Sequence, residues 1–124
     1  MLKKKQILTD TETLKKLIIK GIQEKKGIDV VTLDLRQIQN AVCDYFVICH
    51  GNSKTQVSAL SDSVEIEVKK VSGVYPSFKE GHTNAEWIIL DYFDIVVHIF
   101  QESSRNFFQL ESLWADAVIQ KIEN

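Results

Sequence analysis

Proline is nearly missing from this chain: Pro76 is the only one in 124 residues. No stretch rich in proline, glycine or serine marks a linker, and no internal repeat appears. The sequence therefore reads as one folding unit over residues 1–124, with a core of about residues 10–120. Cysteine is scarce too. Cys43 and Cys49 cannot build a disulfide scaffold, and both lie in or beside the apolar run Tyr45–Ile48, where thiols behave as small core residues. No apolar run approaches the ~18 residues of a membrane span. The basic run Lys3-Lys4-Lys5 has no apolar segment behind it, so it reads as a solvated terminus rather than a signal peptide, and the expected location is the cytoplasm. Nor is there an excess of positive charge. Fifteen Lys and Arg face seventeen Asp and Glu, a net charge of -2, so direct binding to nucleic-acid phosphates is not expected.

What is present is ordinary globular patterning. Thr9 and Glu12 have capping-box spacing ahead of the helical stripe Leu14, Leu17, Ile18 and Ile22, and Gly27 is a plausible stop. Asp29–Leu35 is short and β-branched, a strand. Arg36–Val42 connects it to Asp44–His50, whose apolar residues on both faces imply a strand buried on both sides. Asn52 or Ser53 then caps a second helix with the stripe Val57, Leu60, Val64, Val68 and Val71, closed by Gly73. Val74–Phe78 reads as a short strand that Pro76 confines to an edge. Trp87–Leu90 and Ile95–Phe100 have hairpin spacing, Ser103–Asn106 is a polar connection, and Leu110, Leu113, Trp114, Ala117, Val118 and Ile122 form a last helical stripe. The order α, β, β, α, β, β, β, α implies an α/β (α+β) fold with a single mixed five-stranded sheet flanked by helices.

Chemistry-bearing clusters are few. Asp91, Asp94 and His98 could be read as a cation site, but the spacing matches no metal signature, and Asp at both ends of a turn is explained by backbone hydrogen bonds. Cys49 and His50 are adjacent in a strand, so they point to opposite faces and do not form a dyad. Gly51-Asn52-Ser53 before a helix could cradle a phosphate, but it lacks the lysine and glycine spacing of a P-loop. No catalytic residue, metal or cofactor is expected.

The unusual stretch is EWIILDYFDIVVHIF, Glu86–Phe100. Turns favour Gly, Asn, Asp and Pro. Here Tyr92 and Phe93 occupy the turn, with Trp87 a few residues away. Exposed aromatic residues of this kind suit a protein interface, where Tyr, Trp and Phe dominate the binding energy.

Three segments, CDYFVICHGNS (43–53), EWIILDYFDIVVHIF (86–100) and SSRNFFQLESLWADA (103–117), together resemble the ribosomal silencing factor family, also called Iojap-like. The resemblance covers about Leu14 to Ala117, and the pairing of a W…D…D…VH…F block with R…LE.LW is its specific part. It implies a nucleotidyltransferase-like sheet used for binding rather than catalysis. It also implies docking on the large ribosomal subunit through that subunit's fourteenth protein, blocking of small-subunit joining, damped translation under nutrient limitation, and a role in large-subunit maturation. The family's docking positions match Trp87, Asp91 and Tyr92; Phe93 is added from its place in the turn. The sequence departs from the family at Phe93, usually Gly, at Cys43 and at His50. A nucleotidyltransferase would need a carboxylate pair on the strand after the second helix, and Val74–Phe78 has none. Such an enzyme, or a homodimer formed through the aromatic patch, are the other readings.

Overall fold

The computed structural model describes residues 10–123. Helix α1, Thr11–Glu24, is capped by Asp10, whose carboxylate accepts from the Thr13 N–H at 2.7 Å. The expected cap residue Thr9 lies outside the described residues, and the cap falls on Asp10 instead. The stripe Leu14, Leu17, Ile18 and Ile22 is buried as its period requires. Strand β1, Ile28–Asp34, pairs antiparallel with β2, Tyr45–Gly51, which is buried along its whole length. Helix α2, Lys54–Ser72, starts where Ser53 Oγ accepts from the Gln56 N–H and ends at Gly73, whose φ of 73° suits glycine. Val57, Leu60, Val64 and Val68 are buried, but Val71, in the last turn, is exposed.

The short edge strand β3 covers Phe78–Glu80, beyond Pro76, rather than 74–78. Strands β4, Trp87–Asp91, and β5, Ile95–Gln101, form the expected hairpin. The C-terminal part differs from the sequence reading. The polar connection at 103–106 lies inside helix α3, Glu102–Phe108. The expected last helix lasts one turn as α4, Leu110–Leu113, and Val118–Lys121 becomes strand β6. The stripe loses because β6 pairs antiparallel with β1 and satisfies the main chain of an edge that would otherwise be open. The sheet therefore has six strands instead of five, in the order β3-β4-β5-β2-β1-β6, with β2 and β5 parallel.

The two faces of the sheet are covered unequally. Helices α1 and α2 bury one face over Val30, Tyr45, Val47, Cys49, Leu90 and Val97. Gly21 lets these helices touch: a Cβ there would sit 2.7 Å from Val64 Cα. The other face carries Val31, Leu33, Phe46, Ile48 and Phe100 beneath Leu110 and Trp114. His98 is buried on this face, where desolvation lowers its pKa to about 4.

Two predictions follow from this packing. Gly21→Ala should destabilise the fold by about 1–3 kcal/mol, read from its urea midpoint, because backbone rather than a flexible side chain must yield. His98 stays neutral when folded but protonates near pH 6.5 when unfolded. Its contribution is therefore complete above pH 6.5 and lost as pH falls toward 4, amounting to about 3 kcal/mol. Urea midpoints across this window should fall more steeply for the wild type than for His98→Gln. Burial also lowers the pKa of His50, which accounts for part of the slope that remains in the variant.

Candidate docking face

The β4–β5 hairpin sorts its residues by the two-residue period of a strand. Ile88 and Leu90 are fully buried toward α1 and α2, while Trp87, Ile89 and Asp91 point to the opposite face and are half-buried. Trp87 is the centre of an aromatic group. Its ring stacks on Phe100 with centroids 4.8 Å apart and lies 4.9 Å from Phe108, and its Nε1–H donates to His98 Nδ1 at 3.1 Å. Accepting at Nδ1 places the His98 proton on Nε2, a buried atom without a hydrogen-bond partner. The Phe46 ring meets the His98 ring edge-on, with centroids 4.6 Å apart.

Helix α3 packs over β2 and β5, and beyond it the β4 side of this face is less covered. Phe107, 80 % exposed, and Phe108 project from α3 beside Trp87, and Phe78 projects from β3. Phe107 and Phe108 follow the polar connection Ser103–Asn106 and carried no docking role in the sequence reading, and Phe78 read only as the end of a short strand. Arg105 lies inside that connection, and its role was missed. It is buried, donating to Ile28 O at 3.3 Å and to Glu111 Oε2 at 2.8 Å, with His50 Nδ1 3.0 Å from its Nη1. One guanidinium thus ties α3 and α4 to β1 and β2, and Arg105, Glu111 and His50 of this clamp line the nearby cavity of about 510 Å³.

The turn separates its two aromatic residues. Phe93 is 76 % exposed with φ of +76°, a region that bulky residues seldom occupy, and its N–H is held by Asp91 Oδ1 at 2.8 Å. Tyr92 is not exposed beside it, as the sequence reading had supposed. It is 5 % exposed in the core under α1 and α2, and burial raises its pKa. Neighbouring strand positions face opposite ways, so Trp87 and Asp91 share a face that excludes Tyr92.

The other sequence candidates are occupied locally. Asp94 Oδ2 accepts from Thr11 Oγ1, Asp91 holds the Phe93 N–H, and His98 faces Trp87, so the three do not converge. Among the described residues, no three His, Cys, Asp or Glu side chains are grouped to hold a metal ion. At Gly51-Asn52-Ser53 the Gln56 carboxamide fills the turn and accepts from the Asn52 N–H at 2.8 Å, where a phosphate would need to sit. Cys49 faces the helix layer and His50 the opposite one, as alternation required. Burial pushes the Cys49 thiol up to about 12 and Cys43 to about 11, so neither is an activated nucleophile. No helix among the described residues is long and apolar enough to cross a membrane.

Comparison with known proteins agrees with this architecture. A family model described as "Ribosomal silencing factor during starvation" matches residues 9–124. The ribosomal silencing factor RsfS of Halalkalibacterium halodurans is 35% identical over 112 residues, spanning 90% of this chain and 94% of its own. That of Bacillus subtilis is 33% identical over 112 residues, with 90% and 93% spanned. A crystal structure of a Chromobacterium violaceum protein superposes with a TM-score of 0.80 at 31% identity, covering 86% of this chain and 87% of that one. The chain belongs to the ribosomal silencing factor family.

Proposed function

We propose that this chain represses translation by binding, in the cytoplasm, to the large ribosomal subunit. The contact is made with that subunit's fourteenth protein at the subunit interface, and the bound factor blocks joining with the small subunit. The observation that carries this reading is the less covered side of the sheet around Trp87. It joins a half-buried indole, the Asp91 carboxylate and an exposed Phe93 held in a left-handed conformation. Left-handed backbone at a bulky residue costs about 1–3 kcal/mol, and such outliers cluster at functional sites. Aromatic anchors surrounded by polar groups are the usual composition of a protein interface. Asp91 suits a basic partner surface, where complementary charge speeds and orients association. Tyr92 contributes by position: buried under the helices, it fixes the hairpin that presents Trp87 and Phe93.

Co-sedimentation with purified large and small subunits tests this reading. Wild type is expected to travel with the large subunit and suppress joining. Trp87→Ala should weaken binding by about 2 kcal/mol, roughly thirtyfold, as hot-spot truncations do. Wild type remaining at the top of the gradient would refute the reading. Phe93→Gly should keep or raise thermal stability, because glycine accepts the left-handed turn at less cost, and should still weaken large-subunit binding. Loss of stability together with full binding would show that the ring serves the fold rather than the contact.

A further inference from the structure

The turn that carries Phe93 has a neighbour. The β1–β2 loop lies at the same end of the sheet, where the Asp94 carbonyl accepts from the N–H groups of Asp44 and Tyr45 at 2.9 and 3.2 Å. Within the loop, the Leu35 N–H donates to Asp44 O at 2.8 Å and the Ala41 N–H to Ile38 O at 3.3 Å, so its shape is set by its own backbone. Val42 is 73 % exposed on this loop. A β-branched apolar side chain has no backbone reason to stand in a solvated loop. Val42 and Phe93 both line a cavity of about 330 Å³, together with Leu35, Ile38, Asp44 and Asp94.

The charge around this cavity is one-sided. Among the described residues, Asp44, Asp91 and Asp94 make no salt bridge. Among the described residues, the one cation in the lining, Arg36, is bound to Asp34 at 2.8 Å and so neutralised. The cavity thus combines an apolar rim with uncompensated carboxylates. It is contiguous with the sheet face, because Asp91 belongs to that face and also holds the Phe93 N–H.

We infer that this end of the sheet is a second half of the docking surface, in which the cavity between Phe93 and Val42 receives a lysine or arginine side chain from the partner. The aliphatic stem lies along Val42 and the Phe93 ring, and the cationic head meets Asp44 and Asp94. The occupant is a basic protein surface. A second copy of this chain fits poorly, since a two-fold contact here would place the same carboxylates against each other. The inference rests on the docking reading above and names the partner chemistry that this part of the surface selects.

The test is binding of fluorescently labelled protein to purified large subunits at two salt concentrations. Val42→Lys/Asp44→Lys is compared with wild type, Trp87→Ala, and Ile66→Lys, an exposed α2 position on the opposite face. The double variant should bind at least ~tenfold more weakly, Ile66→Lys should match wild type, and Asp44→Asn alone should flatten the salt dependence. The milder pair Val42→Ser/Asp44→Asn, expected to lose roughly threefold or more, decides the matter if the lysine variant does not fold. If Trp87→Ala loses binding while both pairs bind like wild type, this inference is overturned and the docking reading stands. If wild type does not bind large subunits, both fall. If the Val42/Asp44 variants instead change self-association in light scattering, the occupant is a second copy and the inference is wrong.

Discussion

The parallel ladder between β2 and β5 is the constraint on which the rest of the molecule depends. Seven residue pairs, Tyr45↔Ile95 through Gly51↔Gln101, lock the centre of the sheet. A parallel pair cannot be joined by a tight turn, so the chain must cross over, and α2 does so on one face. Because β2 is buried on both faces, the second face needs cover too, and α3, α4 and Trp114 supply it. That cover packs on β2 and β5 and gives less to β4, which is why an aromatic group remains accessible there. The docking face is thus what is left over when a two-sided core is covered asymmetrically.

Two adjacent hairpin positions show how little separates core from surface in such a sheet. Asp91 ends β4 on the less covered face, and Tyr92, one residue on, turns into the helix layer. A shift of the hairpin by one residue would exchange them, burying a carboxylate and exposing a phenol. Register is held by the Trp87↔Phe100 to Asp91↔Val96 pairs and by the Tyr92 N–H donating to Ile95 O at 2.8 Å. The Phe93 conformation is the local cost of closing this turn without glycine.

Much of this was legible in the sequence, for reasons that differ by segment. The stripes of α1 and α2, the Ser53 and Gly73 caps and the apolar runs of β2 and β5 are strong because local preference and burial agree there. The C-terminal region misled because its apolar spacing fits a helix over 110–122, whereas Val118–Lys121 finds a non-local partner in β1 that no local pattern announces. Tyr92 misled for a related reason: composition marks an aromatic residue in a turn as exposed, and only the three-dimensional placement of α1 and α2 shows that it has a core to enter. Arg105 was hidden inside Ser103–Asn106, which its serines and asparagine marked as a connection, and Phe107 and Phe108 just beyond it fall on no apolar stripe. Trp87 and Asp91 could be placed on one face from their spacing alone.

The pairing of β6 with β1 bears on how this protein is made. Strand β1, at residues 28–34, is synthesised well before its outer partner, Val118–Lys121. Until Val118–Lys121 arrives, β1 presents an unpaired edge of β-branched residues, the type of surface that templates pairing between chains. A chain cut short before residue 118 would therefore carry this adhesive edge uncovered.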